Sequence, residues 1–410
     1  MTRTTHAGDR KKQLGDVAAN LFLEHGYHGV GVNDIAGAAG ISGPALYRHF
    51  PSKQALLAHV LLSGLGHVHA AAETLDADLP AARRLSGFTR SLAEVAVEQR
   101  GASALWRWEG RHLTEDDHDG VLGSANTIMT RWSKTVLEAR PELSGADADL
   151  LCWAAMSVFG SVAVHRTTLP KRRFVQLVGN LAEATLAVSM PAVMAADGPL
   201  PADTTPSHGT ASHGVGSHGT GSNGSGSSKR EELLGAATTL FRKHGFRAVS
   251  VEEIGHAAGL AAPSVYRHFA SKADMLLAAC RRMADRLAAD AAALTDTDDP
   301  ASTLDRLIVS YVDTAADNRD LIGVYSTDTH HLPPDECAEL GRLQREYVAR
   351  WVALAGQIRP DRDEKATRVT VHAALTIVND LVRTGKTWQR ARLRTELVTL
   401  ARAVLNAEGA

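Results

Sequence analysis

The chain has 410 residues, with 46 Asp and Glu against 44 Lys and Arg and an aromatic content of 5%. Such a length exceeds one ordinary core and points to two or three domains, and a composition rich in Ala and poor in aromatics suits packed helices better than β sandwiches. A net charge of −2 excludes a nucleic-acid binder that works by bulk electrostatics, so any such surface must be local.

Met1 to Lys12 is polar and basic, unlike a secretory leader. Arg10-Lys11-Lys12 precedes Leu14, Val17, Ala18, Leu21 and Phe22, the i, i+3, i+4, i+7, i+8 spacing of an amphipathic helix. His25-Gly26 ends it, Gly26 being free to take the left-handed stop conformation. A short helix follows and closes at Ala39-Gly40, and then comes Gly40-Ile41-Ser42-Gly43-Pro44-Ala45-Leu46-Tyr47-Arg48-His49-Phe50-Pro51-Ser52-Lys53. A helix, a glycine turn and a second short helix make a helix-turn-helix. Leu46 and Phe50 lie one turn apart and face the core, which leaves Tyr47 pointing outward.

From Gln54 to about Met194 the pattern is helical, broken at Pro80, Pro141 and Pro170. The longest uncharged run, Leu150 to Val164, is too short for a bilayer span. Its Ala154, Ala155, Ser157, Gly160, Ser161 and Ala163 mark a buried interface helix. Residues 197–228 are rich in Gly, Ser, Thr, Pro and His and read as a flexible linker. His208, His213 and His218 within it are read as solvated, not as a metal tract.

After the linker the chain repeats itself. At a constant offset of 219, 20 of the 44 positions from Leu14 to Leu57 are identical to those from Leu233 to Leu276. Gly259 to Lys272 is the second copy of the turn and short helix, carrying Tyr266, Arg267 and His268. Ser250-Val251-Glu252-Glu253 has the form of a capping box. In the first copy Gly31 and Asp34 stand in its place, so that cap is weaker. Beyond the short helices the copies share scattered positions, such as Trp132 with Trp351 and Arg140-Pro141 with Arg359-Pro360. One task is shared; the helical regions behind it have diverged. The organisation expected is 1–57 and 229–276 as heads, with 58–196 and 277–410 as the helical regions behind them.

The polar set gives the heads a chemistry. Ser42 opens the short helix beside free backbone amides, Tyr47 and His49 offer donors to phosphate oxygens, and Arg48 adds a cation. Ser52-Lys53 brings a hydroxyl, amides and an ammonium together again, as do Ser271 and Lys272 in the second copy. A helical hairpin whose Tyr and His only cap a core would not need this set twice.

These stretches, Ile35 to Ser42, Leu46 to Phe50 and Ser52-Lys53, with Ile254 to Gly259 and Val265 to Lys272, resemble the DNA-binding signature of the TetR family of bacterial regulators. The whole chain resembles the rarer tandem members of that family in actinobacteria. Leu105 to Asp117 resembles the subgroup that represses a mammalian-cell-entry (lipid-import) operon. The resemblance implies an all-α protein of two TetR-like units, each of about nine helices. In each unit the first three helices would bind DNA and the last two would pair the units. It further implies contacts to double-stranded operator DNA from Ser42, Gly43, Pro44, Tyr47, Arg48, His49 and Lys53, and from Ser264, Tyr266, Arg267, His268 and Lys272. The second unit departs from the pattern at Ala261-Ala262 and so lacks one hydroxyl, for which Ser264 stands in.

With two different heads on one chain, the simplest arrangement is an intramolecular pseudo-dimer on an imperfect inverted repeat. Leu150–Val164 and Phe174–Met190 would then pack against Thr370–Val382 and Leu393–Leu405. The alternative is a homodimer of tandem chains. Trp106, Trp108, Met129, Trp132, Met156 and Phe159, and in the second unit Tyr325, His331, Tyr347 and Trp351, are candidates to line an apolar pocket. Arg107, Arg111 and His112 are candidates to meet the polar end of a lipid, acyl thioester or sterol-like effector. Glu109, His112 and Asp116, repeated as Asp328, His331 and Asp335, read as a polar hinge in preference to a metal site. No nucleophile–base set or phosphate loop stands out, and Cys152, Cys280 and Cys337 form no disulfide framework. The expectation is therefore a cytoplasmic, non-enzymatic, ligand-responsive repressor without cofactor, metal or membrane segment. A ligand-dependent activator and a helical scaffold with relic heads are the alternatives.

Overall fold

The computed structural model describes residues 2–73, 78–190, 224–294, 299–383 and 387–408. The side chains of 2–9, 71–73, 102–103, 106–108, 111, 224–227 and 388 lie outside the described set. His208, His213 and His218 lie outside it as well. Among the described residues there are eighteen α-helices and no strand, nine on each side of the interval 191–223.

The first nine are α1 (Thr2–His25), α2 (Val32–Ala38), α3 (Gly43–Tyr47), α4 (Lys53–Glu73), α5 (Ala81–Glu98), α6 (Arg100–Glu109), α7 (Glu115–Ala139), α8 (Gly145–Ser161) and α9 (Lys171–Leu186). The second nine are α10 (Gly224–His244), α11 (Val251–Ala257), α12 (Ala262–Val265), α13 (Lys272–Ala293), α14 (Pro300–Asp317), α15 (Arg319–Thr327), α16 (Pro334–Ile358), α17 (Glu364–Leu381) and α18 (Leu393–Leu405). Short 3-10 turns join α1 to α2, α6 to α7 and α15 to α16, and one precedes α18.

The heads fold as their spacing dictates. Leu14, Ala18 and Phe22 of α1 are buried, as are Leu233, Ala237 and Phe241 of α10. Gly40 and Gly259 turn the chain with φ of 67° and 66°. A Cβ at either would meet open space, so it is the left-handed backbone, not crowding, that calls for glycine. Beneath the turn the copies use different pairs to fill one volume. The first has Ala36 with Leu46, and the second has Gly255 with Val265, where a Cβ on Gly255 would lie 2.9 Å from both the Leu260 carbonyl oxygen and Val265 Cγ2.

The long helices behind the heads share one continuous core that also takes in the second head, whereas the first head is built on a core of its own. α8 packs on α17 and α9 on α18. The small residues Ala154 and Ala155 of α8 and Ala373 and Ala374 of α17 are all buried and allow close approach. Arg390 ties this seam electrostatically. It reaches Asp147 Oδ1 at 2.5 Å, Glu396 Oε1 at 2.7 Å and the Ala146 carbonyl at 2.9 Å. Arg173 pairs with Asp363 across the same seam. No helix among the described residues is long and apolar enough to cross a membrane.

Candidate nucleic-acid interface and effector cavity

On each head the sequence buries one face and exposes the next. Leu46 and Phe50 are 2% and 5% exposed, and Val265 and Phe269 are buried likewise. Tyr47 and Tyr266 are each 54% exposed, the two aromatic side chains among the described residues that break the rule that large apolar groups go inside. Arg48 and Arg267 are exposed beside them, and His49 and His268 half-buried. An exposed tyrosine beside a free cation on the rim of a short helix suits phosphate and groove-edge contacts. Ser42, at the start of α3, is exposed and its hydroxyl caps no amide. Pro44 is exposed and Gly43 half-buried, and Ser264 is half-buried at the matching edge of α12. Gly43 has a local reason: a Cβ there would lie 2.5 Å from Asn33 Oδ1. The second copy carries Ala262 opposite Glu252 instead.

Lys53 and Lys272 sit differently from the expectation that they face DNA. Lys53 Nζ donates to the carbonyl oxygens of Tyr27 and Val30, both at 2.9 Å, and lies 4.1 Å from the Tyr27 ring centre. Lys272 Nζ donates to the Val249 carbonyl at 2.6 Å and lies over the Phe246 ring. Burial lowers the pKa of both. An ammonium has three protons, so inward bonding leaves Lys53 little to offer a phosphate. Both lysines instead fasten the first turn of α4 or α13 to the chain just before α2 or α11.

The carboxylate–histidine sets belong to that same junction. His112 stacks on Tyr27 with ring centres 5.2 Å apart, and its Nε2 lies 3.3 Å from Glu109 Oε2. His331 stacks on Phe246 at 5.3 Å, beside the fully buried Asp328. Burial pushes the Glu109 carboxyl up, but hydrogen bonds from His112 and the Tyr27 backbone bring it below its ordinary value. Asp116 and Asp335 are exposed and stand apart. No group of three or more His, Cys, Asp or Glu that could hold a metal occurs among the described residues.

Behind the second head lies a cavity of about 1320 Å³, above the usual range of about 300–1,000 Å³ for small-molecule sites. Tyr311, Tyr325, Tyr347, Thr376 and Asn379 bring hydroxyls and an amide to its lining, which also includes Ala284, Leu287 and Val348 and charged side chains such as Arg247 and Glu346. Tyr311 donates to Asn379 Oδ1 at 2.8 Å. Burial holds the tyrosine hydroxyls protonated by raising their pKa.

Of the pocket residues expected from the sequence, Tyr325, Tyr347 and His331 line this cavity. Trp351 is buried in the core and is not part of the lining. In the first unit, Trp132 packs edge-on to Phe88 and stacks near Phe159, with Met129 and Met156 packed into the same core. Trp132, Phe159, Met129 and Met156 thus belong to a filled interior, since each occupies volume between helices. His112 sits at the head junction instead, and the side chains of Trp106, Arg107, Trp108 and Arg111 lie outside the described set. Sequence reasoning missed Tyr311, Thr376 and Asn379. The signal was present at the offset of 219, where Leu92, Ser157 and Gly160 become Tyr311, Thr376 and Asn379.

Two copies of a helix-turn-helix, each with an exposed Tyr-Arg pair and each fastened to a helical body, define a DNA-binding regulator with two heads. The family model for bacterial regulatory proteins of the tetR family matches residues 14–60 and again 233–279. That for the tetracyclin repressor-like C-terminal domain matches 297–386. The chain is 31% identical over 137 residues to the HTH-type transcriptional repressor KstR2 of Rhodococcus jostii, covering 33% of this chain and 67% of that protein. It is 31% identical over 144 residues to KstR2 of Mycobacterium tuberculosis, covering 33% and 72%. Over 53 residues it is 45% identical to the HTH-type transcriptional activator FasR of Mycolicibacterium smegmatis, covering 13% of this chain but 24% of the activator. Among solved structures, that of M. tuberculosis KstR2 covers 43% of this chain and 93% of its own, at 23% identity and a TM-score of 0.38. The chain belongs to the TetR family and carries its DNA-binding domain twice.

Proposed function

We propose that this tandem regulator is a ligand-responsive repressor whose two heads read one imperfect inverted repeat as an intramolecular pseudo-dimer. The observation that carries the reading is the pair of equally exposed tyrosines, Tyr47 and Tyr266, on heads joined through α8, α9, α17 and α18 of a single chain. A homodimer reads a palindrome because its heads are identical. Here Asn33 and Gly43 of one head are replaced by Glu252 and Ala262 in the other, which favours unequal half-sites.

The effector is a small hydrophobic molecule of the lipid, acyl-thioester or sterol-like class, suited to a roomy cavity lined by apolar, hydroxyl and charged side chains. Ligand against α13 shifts the helix whose first residue, Lys272, grips the second head, and operator affinity falls. DNA binding by the heads suits a bacterial cytoplasm. A ligand that raised operator affinity would favour the activator reading instead.

The test is capture of genomic fragments by the wild-type chain and by Tyr47→Ala and Tyr266→Ala separately. Loss of one shared imperfect repeat in both variants is the expected result. Loss in Tyr47→Ala alone would favour a homodimer of tandem chains, and full capture by both would refute DNA reading by these helices.

A further inference from the structure

The cavity is not a private feature of the second unit. One of its walls comes from the first unit: the turn His25 to Gly29 after α1, and the segment Ala163 to Thr168 between α8 and α9. We propose that the chain carries one composite effector site, with its interior in the second unit and an end wall from the first, so that one ligand acts on both heads. This rests on the reading that a ligand in the cavity controls DNA binding.

Three observations converge on it. First, positions that line the cavity in the second unit are occupied differently in the first: Leu92, Ile128 and Gly160 stand where Tyr311, Tyr347 and Asn379 stand, and Phe88 and Phe159, which pack on Trp132, stand where the second unit has Leu307 and Val378. At these positions the first interior carries no polar side chain, while hydroxyls and an amide line the second.

Second, the first-unit wall includes a ready donor. His165 is 8% exposed and lines the cavity, and its Nδ1 accepts from the Thr167 N–H at 3.2 Å. The hydrogen therefore sits on Nε2, which is buried and has no hydrogen-bond partner. Such a donor is costly to leave unused. Arg166, Lys365 and Arg368 also line the cavity, as does Glu364, which accepts from Arg368 at 2.8 Å. The ligand class that fits is a largely apolar molecule that carries an acceptor oxygen for His165 Nε2.

Third, the wall residues of the first unit are those that hold its head. Tyr27 lines the cavity, stacks on His112 and accepts from Lys53 at the start of α4. A ligand that presses on this turn acts on the first head without needing a site of its own in the first unit.

The test uses 1-anilinonaphthalene-8-sulfonate, an apolar aromatic anion, with the full-length chain. Calorimetric or fluorescence titration is expected to give one molecule per chain, and His165→Phe to weaken binding about tenfold by deleting the donor. Filling the interior with Thr376→Trp is expected to abolish it. On the wild type, hydrogen exchange with and without the probe is expected to slow at residues 25–29 and 163–168 as well as along α13 and α17. Two probes per chain, or slowing confined to the second unit, would overturn the composite site even if either variant failed to fold. Failure of the DNA reading would show separately, in fragment capture by the tyrosine variants with no probe present.

Discussion

The two units share a sequence pattern in their heads but fasten those heads by different means. In the second unit Arg242 of α10 pairs with Asp320 of α15, and Thr239 donates to the same carboxylate at 2.8 Å. In the first, the corresponding positions are Leu23 and Gly101, and a Cβ on Gly101 would lie 2.5 Å from Leu23 Cδ1. One junction is a polar latch and the other an apolar close approach. The second head is also continuous with the main core, while the first is built on a separate one. Duplication has thus kept the reading surface twice and divided the rest: the second unit holds the cavity and a head locked to it, and the first supplies a wall and a head that opens more independently.

The largest effect is expected at the seam that makes the two units one body. Arg390→Ala leaves Glu396, 4% exposed, without the cation that holds it, and losing one member of such a buried pair costs about 3–5 kcal/mol. Urea unfolding of the variant checks it. Arg390→Met with Glu396→Leu is expected to recover most of the loss, since a buried pair replaced by packed apolar groups is often neutral. If the single variant unfolded at the wild-type midpoint, the units would not depend on that seam.

The same seam makes the molecule acid-sensitive. Burial, with the nearby His372, Arg100 and Arg368, pushes His165 down to about 3, and burial with Arg368 and Arg100 pushes His372 down to about 4. A histidine with a folded pKa below its unfolded value, about 6.5, binds protons more readily when unfolded, so stability falls as pH drops from about 6.5 toward 4. At pH 5 the loss through His165 is about 2 kcal/mol. Thermal unfolding at pH 7 and pH 5 is expected to show that drop, and a His165→Gln, His372→Gln double variant to flatten it. An unchanged slope in the double variant would place the acid sensitivity elsewhere.

The difference between the latches has its own measurement. Asp320→Ala removes a partly buried ion pair and is expected to cost about 1–2 kcal/mol. By hydrogen exchange the cost should appear as faster opening of α10 to α12 and leave α1 to α3 unchanged. Faster exchange in both heads would mean that the heads are not separately fastened.

How much of this the chain announces differs between its parts. The heads were legible because a short motif fixes them: Gly40 and Gly259 must turn left-handed, Leu46 and Phe50 must face inward, and Tyr47 is then left outside. Lys53 was legible as a cation at a helix start but not as one turned inward. Its choice depends on the Tyr27 and Val30 carbonyls, 26 and 23 residues away, which tertiary packing brings within reach. The cavity was least legible. Tryptophans and methionines at helical spacing look alike whether they line a void or fill one, and Trp132 fills. The comparison of Leu92 and Gly160 with Tyr311 and Asn379 shows added polarity in the second unit, and the void itself emerges only once the helices are placed.

The smallest effect, and a direct probe of unequal heads, lies at the caps of α2 and α11. In the second head the Ser250 hydroxyl accepts from the Glu253 N–H at 3.1 Å, and Glu253 Oε2 accepts from the Ser250 N–H at 2.7 Å. In the first, Gly31 has no side chain to give, and only the return bond from its N–H to Asp34 Oδ2, at 2.7 Å, is made. The Asp34 N–H, without a hydroxyl to reach, donates to the Gly31 carbonyl oxygen at 3.1 Å. Gly31 has φ −88° and ψ 160°, close to the −95° and 162° of Ser250, so serine fits the backbone there without strain. The added Cβ would lie 3.1 Å from Asp34 Oδ2, a flexible carboxylate end that can move by a few tenths of an ångström. Gly31→Ser is expected to stabilise the first head by about 0.5 kcal/mol, through the cap and through lower entropy of the unfolded chain. Ser250→Ala should weaken the second head by about 1 kcal/mol. Because the first head has its own core, the gain should slow exchange in α1 to α3 with little change in the global unfolding midpoint, whereas the loss in the second head should lower that midpoint. If both substitutions moved the midpoint equally, the first head would not be the independent element that its separate core describes.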